Sequence, residues 1–424
     1  MMETRIRSVA PLAVLRIAFG AILFISTIRF ILKGWIASFY VEPVFHFTFY
    51  GFGWVRPFPA TGMYMVFGLM ALSSLFIALG LFYRWAVTLF LLCFTYVELL
   101  DKTYYLNHYY FVTSFTFLLL LVPANRYWSF DVRRRPQKKI TVVPAWTIQI
   151  FQAQLLLVYL FAGLSKLTSD WLFHAMPLRI WLRANSGIPL MDKVWVAYVF
   201  SWFGAIFDLT IGFFLLYRKT RPAAYIVVVL FHLATAWLFK IGMFPYIMIA
   251  ATLIFFPLKT AEEKLVWRLN GWKRKGVGIV LSLYFAMQLL LPLRFLLYPG
   301  NLLWTEQGYR FSWRVMLMEK SGTSYFYVKD PVTGRKGEVN NHEFLTAFQE
   351  RQMATQPDMI LQYAHYLGVF YQQRGIANPE ITVESYVTLN GSGTRLYIDS
   401  TVNLASQPDN LLPKTWILPF QQDK

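Results

Sequence analysis

The sequence predicts an α-helical polytopic membrane protein, with about nine transmembrane helices followed by a C-terminal extracytoplasmic α+β domain. Three observations carry that prediction. Of 424 residues, 57% are hydrophobic and 19% aromatic, whereas only 15% are charged, against about 25% in soluble domains. Apolar runs able to cross about 30 Å of hydrocarbon recur as far as residue 297. Beyond Pro299 the composition turns polar, the apolar runs shorten and two hairpin signatures follow. The chain is therefore divided into a transmembrane helical domain, 1–298, and an α+β domain, 299–424.

The spans are read at 10–31, 62–82, 85–100, 109–124, 146–165, 194–217, 223–239, 241–258 and 277–297. The first, preceded by Arg5 and Arg7 and lacking a small-residue cleavage site, reads as a membrane helix rather than a signal peptide. Basic residues then alternate. Arg84, the run from Arg133 to Lys139, Arg218 to Arg221, and Lys259 through Lys275 share a side with the N-terminus. Opposite loops carry less charge, with Arg179 and Arg183 as the main exception. The positive-inside rule then places the N-terminus in the cytoplasm and the C-terminal domain in periplasm or lumen. Tyr40 to Pro59, aromatic and Pro-rich, reads as an interfacial segment. Leu172 to Arg183 has the spacing of an amphipathic interfacial helix.

In the C-terminal domain, Ser324–Lys329 and Lys336–Val339 flank a turn containing Pro331 and Gly334, which reads as a β-hairpin. Asn341–Gln352 and Asp358–Arg374 carry helical periodicity. Ile381–Leu389, then Asn-Gly-Ser-Gly, then Arg395–Ile398 reads as a second hairpin.

Several chemistries are excluded or disfavoured by residue usage. The net charge of +18 sits in short loops between apolar segments and not beside a nucleic-acid-reading module, so no nucleic-acid role is expected. Cys93 is the sole cysteine, which rules out an intrachain disulfide and a CxxC motif. The six histidines show no metal-ligand spacing, and no metal is expected. Ionisable residues inside spans are expensive and each needs a reason. Lys166, ending the fifth span, either snorkels to the headgroups or is held dry for chemistry. His232, near mid-span, is either a hydrogen-bonded structural imidazole or a site residue. Asn107 and His108 are either an ordinary interfacial pair or part of a site. Asp208, Arg16 and Arg29 are expected to serve interhelical pairing. Asn107, His108 and Lys166 fall in the same half of the membrane, where a dry pocket could admit a lipophilic ligand from the bilayer and a polar one from above.

These motifs carry a resemblance. Ala162 to Trp171 (AGLSKLTSDW), Asp101-Lys102-Thr103 with Asn107-His108, Phe231-His232 with Ile241 to Met248 (IGMFPYIM), Trp304 to Trp313 (WTEQGYRFSW) and Thr333 to Glu338 resemble the vitamin K-dependent γ-glutamyl carboxylases in a bacterial-type form. The likeness runs from about residue 10 to Pro419. It implies a lyase-class carboxylase and epoxidase in which Lys166 deprotonates vitamin K hydroquinone, of phylloquinone or menaquinone type. In that family O2 then drives epoxide formation through a strongly basic alkoxide, which takes a γ-proton from glutamate, and CO2 captures the carbanion. The resemblance further implies that Asn107 and His108 lie against quinone and glutamate, that Tyr159, His232, Phe244 and Met248 line the quinone pocket, and that Trp304 and Tyr309 contact the glutamyl substrate. Expected partners are a glutamate-containing protein or peptide, membrane lipids and a quinone reductase. Two departures stand out: the chain stops soon after Pro419, and Ser165 precedes Lys166 where the animal motif has a second lysine. Two other readings remain, a quinol epoxidase without carboxylation and a non-enzymatic lipid- or quinone-binding protein.

Overall fold

The computed structural model describes residues 6–184, 187–239, 241–259, 265–267 and 269–421. Every expected membrane segment is helical. Seven helices have the length and composition to cross a membrane: Ala10–Leu32, Ala60–Leu79, Tyr83–Leu100, Trp146–Ser165, Val194–Leu216, Arg221–Phe239 and Gly271–Leu297. Two are shorter. Asn107–Leu121 has 15 residues, halted before Pro123, and Phe244–Thr252 has 9 before a 3-10 turn, Leu253–Phe255. At 1.5 Å per residue neither exceeds about 23 Å, less than the hydrocarbon thickness.

The two ends of the bundle are distinct. Strand Ile6–Ser8 pairs antiparallel with Val142–Pro144, and Val142 bridges Val266, which gathers the N-terminal, 125–144 and 265–267 segments at one end. The turn at Asp101–Thr103 and the start of Asn107–Leu121 meet the C-terminal domain at the other.

Two close approaches set the helix geometry. Arg16 is fully buried in Ala10–Leu32 and has backbone carbonyls for partners. Its Nη1 donates to Ile77 O (2.8 Å) and Ala78 O, Nε to Ala124 O (3.1 Å) and Nη2 to Trp128 O. Ile77 and Ala78 end a helix whose last carbonyls lack intrahelical donors, and the guanidinium fork supplies them. Gly80 permits this, since it has φ +65° and any Cβ there would lie 2.7 Å from Arg16 Nη1. The second approach joins Trp146–Ser165 to Val194–Leu216. A Cβ on Gly163 would meet Leu209 N at 2.7 Å, so the two backbones touch where Gly163 has no side chain.

The C-terminal domain has a four-stranded antiparallel sheet ordered Lys336–Glu338, Lys320–Lys329, Glu380–Leu389, Thr394–Leu396. Both expected hairpins are present. Alternation in Glu380–Leu389 buries Ile381, Val383, Val387 and Leu389 against Met359, Ile360, Tyr363 and Leu367 of helix Pro357–Gln373. A capping box, Thr346 with Gln349, starts helix Ala347–Met353.

Leu172–Arg183 is not one amphipathic helix. It is split into Ser169–His174 and Leu178–Arg183 by Ala175 at φ +50° and a cis Met176–Pro177 bond. The break is local: Pro177 has no N–H to continue the helical ladder. Its result is that Trp171 and Trp181 both point into the protein at the domain junction, where Trp181 Nε1 donates to Glu319.

An ionic latch joins the domains. Asp358 accepts from Lys102 Nζ (2.8 Å) and Arg310 Nη1 (2.7 Å), while Gln349 Nε2 donates to Asp101 (2.9 Å) and Asn390 Nδ2 to Asp170 (2.8 Å). Burial alone would raise the Asp358 carboxyl, but Arg310 and Lys102 outweigh it and hold it well below the usual carboxylate range.

Two outcomes follow from this packing. Gly163→Val should cost about 1–3 kcal/mol by forcing the two helices apart, read as a lowered unfolding midpoint of detergent-solubilised protein. Asp358→Asn should cost about 2 kcal/mol at neutral pH by leaving two cations uncompensated at a partly exposed site. A carboxylate with a depressed value stabilises the fold above its unfolded pKa, near ~3.9, and loses that contribution as pH falls through the folded value. The variant should therefore lose less stability than wild type on acidification below about pH 5, checked by thermal melts across pH.

Candidate active site

The site is built on three helical faces. Tyr159, Ala162 and Lys166 follow i, i+3, i+7 spacing on Trp146–Ser165 and its cap. Phe200, Gly204 and Asp208 follow i, i+4, i+8 on Val194–Leu216, and His232, Thr235 and Phe239 follow i, i+3, i+7 on Arg221–Phe239. Phe244 and Met248 close a fourth side from the short helix. Together these faces enclose a cavity of about 110 Å³ with predominantly apolar walls. Val315 and Met316, which lead into the C-terminal domain, complete it.

Lys166 does not snorkel. The residue is 6% exposed, and its Nζ lies 2.6 Å from Asp208 Oδ2, 3.3 Å from Ala162 O and 5.3 Å from the centre of the Trp171 ring. The Gly163 crossing one turn earlier brings the amine opposite the carboxylate. Trp171 is fixed in turn: Thr168 caps its helix, and its Nε1 donates to Ser201 O at 2.8 Å. The amine and the carboxylate are thus an ion pair set in a predominantly apolar wall. Removing either partner would strand the other in a dry wall.

In the same cavity wall Tyr159 OH lies 3.0 Å from His232 Nε2, so the mid-span histidine is hydrogen-bonded to a neighbouring helix. Phe231 stacks on Phe207 with centroids 4.0 Å apart, and Phe244 meets His232 edge-on at 6.4 Å. The cavity thus has two polar pairs, Lys166 with Asp208 and Tyr159 with His232, among apolar and aromatic lining residues.

Lys166, Tyr159, His232, Phe244 and Met248 all line this cavity. His108 does not line it; its ring stacks on Phe244 at 5.4 Å, one ring removed. Asn107 lies at the domain junction, where Nδ2 donates to Arg314 O and Oδ1 accepts from Tyr105 OH at 3.0 Å. Trp304 is in the core of the C-terminal domain, 1% exposed, with Nε1 donating to Leu418 O (2.7 Å) and its ring against Tyr397 and Phe420. Tyr309 is partly buried in that same core, where burial raises its phenol well above the ordinary range. Neither Trp304 nor Tyr309 reaches the cavity wall.

Asp208 and Trp171 were not assigned a site role from sequence. The i, i+4, i+8 stripe of Phe200, Gly204 and Asp208 was the available signal, since it puts the one carboxylate of that helix on the face of a glycine.

Residues 5–259 match the HTTM domain family, and residues 273–423 match the family described as vitamin K-dependent gamma-carboxylase, lumenal domain. No solved structure matches the chain. The first match takes in the helices that carry Lys166, Asp208 and the cavity, and the second takes in the sheet domain latched above them. With both domains present in this order over nearly its whole length, the chain belongs to the vitamin K-dependent gamma-carboxylase family.

Proposed function

We propose that this integral membrane protein is an enzyme that couples oxidation of vitamin K hydroquinone to its 2,3-epoxide with addition of CO2 to glutamyl residues. The observation that carries the reading is the buried Lys166–Asp208 pair in the wall of an apolar, ring-lined cavity. A water needs about 10–15 Å³ of such space, so the cavity has room for roughly ten water-sized groups, the scale of a two-ring headgroup. Its two polar pairs suit a flat ring system bearing two hydroxyls, and its apolar walls suit a prenylated molecule arriving from the bilayer.

When bound, the hydroquinone supplies the reducing power and, with O2, the strong base that glutamate demands. The chain's own groups bind, orient and move protons. Lys166, when neutral, accepts the proton of a bound hydroxyl, and Asp208 faces the ammonium so formed. Tyr159 and His232 hold the opposite hydroxyl. Phe231, Phe244 and Trp181 keep bulk water from the reacting atoms. We place the glutamyl substrate at the C-terminal domain side, where Asn107, Val315 and Met316 meet, with Trp304 and Tyr309 shaping the domain that receives it. His108, behind Phe244, acts on this side. The division at residue 298, a cytoplasmic N-terminus and a periplasmic or lumenal C-terminal domain belong to the same reading. It is supported by the basic loops gathered at the Ile6–Ser8 end.

In this reading Lys166→Ala abolishes epoxide formation, and a small exogenous amine restores part of it. Asp208→Asn lowers turnover by about 10²-fold, the scale of one positioned acid–base group, with a shifted pH–rate profile. The assay is epoxide formation by purified protein with and without a glutamyl peptide, together with incorporation of labelled CO2. Epoxide without label would leave a quinol epoxidase; unchanged turnover in Lys166→Ala would remove the lysine from the chemistry.

A further inference from the structure

We propose that the opposite end of the bundle holds a second site, for the phosphate headgroup of an anionic phospholipid. A cavity of about 340 Å³ lies where Tyr83–Leu100 begins, and Arg84, Arg126, Arg134, Arg135 and Lys138 all line it. None of these five cations forms an ion pair among the described residues. Arg134 lies over the Phe82 ring at 4.6 Å, and Arg126 makes only a long contact, 3.5 Å, to Lys138 O.

The one carboxylate in the wall is already committed. Asp131 accepts from Phe82 N (3.0 Å), Tyr83 N (3.2 Å) and Asn125 Nδ2 (2.7 Å), so it caps the helix start, and the guanidinium it acts on electrostatically is that of Arg16, not one of these five cations. Positive charge is thus concentrated without its own counter-ion, the requirement for binding a phosphate.

The rim separates a lipid from a free anion. Trp85 and Phe82 line the cavity and are 79% and 49% exposed, and Trp128 and Phe130 stand exposed nearby. Trp at a helix end marks headgroup depth, with ring against acyl chain and polar edge toward water. Cations side by side with exposed rings at that depth match a phosphodiester on its glycerol better than inorganic phosphate, which gains nothing from the rings. Basic pockets at the ends of transmembrane helices recognise anionic headgroups by this combination.

The test titrates the full chain in detergent with a fluorescent phosphatidylglycerol, a phosphatidylcholine analogue and inorganic phosphate. Wild type should prefer phosphatidylglycerol, more weakly as salt rises. Arg126→Gln/Arg134→Gln/Arg135→Gln should bind it about 100-fold more weakly, at about 1 kcal/mol per charge. The same three positions changed to Lys keep the charge and should stay within a few-fold of wild type. Arg218→Gln/Lys219→Gln, outside the cavity, should leave binding unchanged. Equal affinity for phosphatidylcholine, full competition by inorganic phosphate, a wild-type titration by the Gln triple variant, or an equal loss in the Arg218/Lys219 variant would each overturn the proposal.

Discussion

One buried contact governs this protein: an amine and a carboxylate, 2.6 Å apart, in a predominantly apolar wall. Neither group would be tolerated alone, because an unpaired charge at that depth costs several kcal/mol. They are tolerated together because the two helices come close enough, and they come close because position 163 has no side chain. The rest of the fold can be read outward from that crossing. The helices that carry the pair also carry Tyr159, Gly204 and Phe200 onto one cavity, and Arg221–Phe239 with the short Phe244–Thr252 helix encloses it.

The C-terminal domain is more than an appendage. It reaches the cavity through Val315 and Met316 and is held down by Asp358, Gln349 and Asn390 on two turns of the membrane domain. Those turns are the Asp101–Thr103 and Thr168–Trp171 segments, the parts of the chain whose polar residues had no evident reason to sit beside membrane helices. Their acidic side chains are partners for the C-terminal domain. The Thr168–Trp171 segment therefore meets both Lys166, through the Trp171 ring, and the sheet domain, through Asp170.

Much of this was legible in the sequence. Hydropathy located the membrane helices, and Pro331, Gly334 and Asn390-Gly391 marked the turns of the two hairpins. Family motifs named five side chains that share the cavity, although the motifs lie up to 89 residues apart between Tyr159 and Met248. What stayed hidden depended on tertiary contact. Asp208 looked like any interhelical carboxylate until the Gly163 crossing set it against Lys166. Leu172–Arg183 carried helical periodicity, but periodicity does not register the break at Ala175 and Pro177 that turns Trp171 and Trp181 inward. Trp304, a substrate contact by resemblance, has its indole hydrogen-bonded to Leu418 O inside its own domain, which no sequence pattern marks. Arg16 was expected to pair with another helix and does so through carbonyls, which no charge pattern reveals.

The most direct test is an experimental structure of the protein with a naphthoquinone or its reduced form bound. The account predicts the ring between Phe231 and Phe244, one oxygen within about 2.6–3.2 Å of Lys166 Nζ and the other toward Tyr159 and His232. A ring bound elsewhere, or a Lys166 side chain turned out to solvent with Asp208 paired to another group, would contradict it.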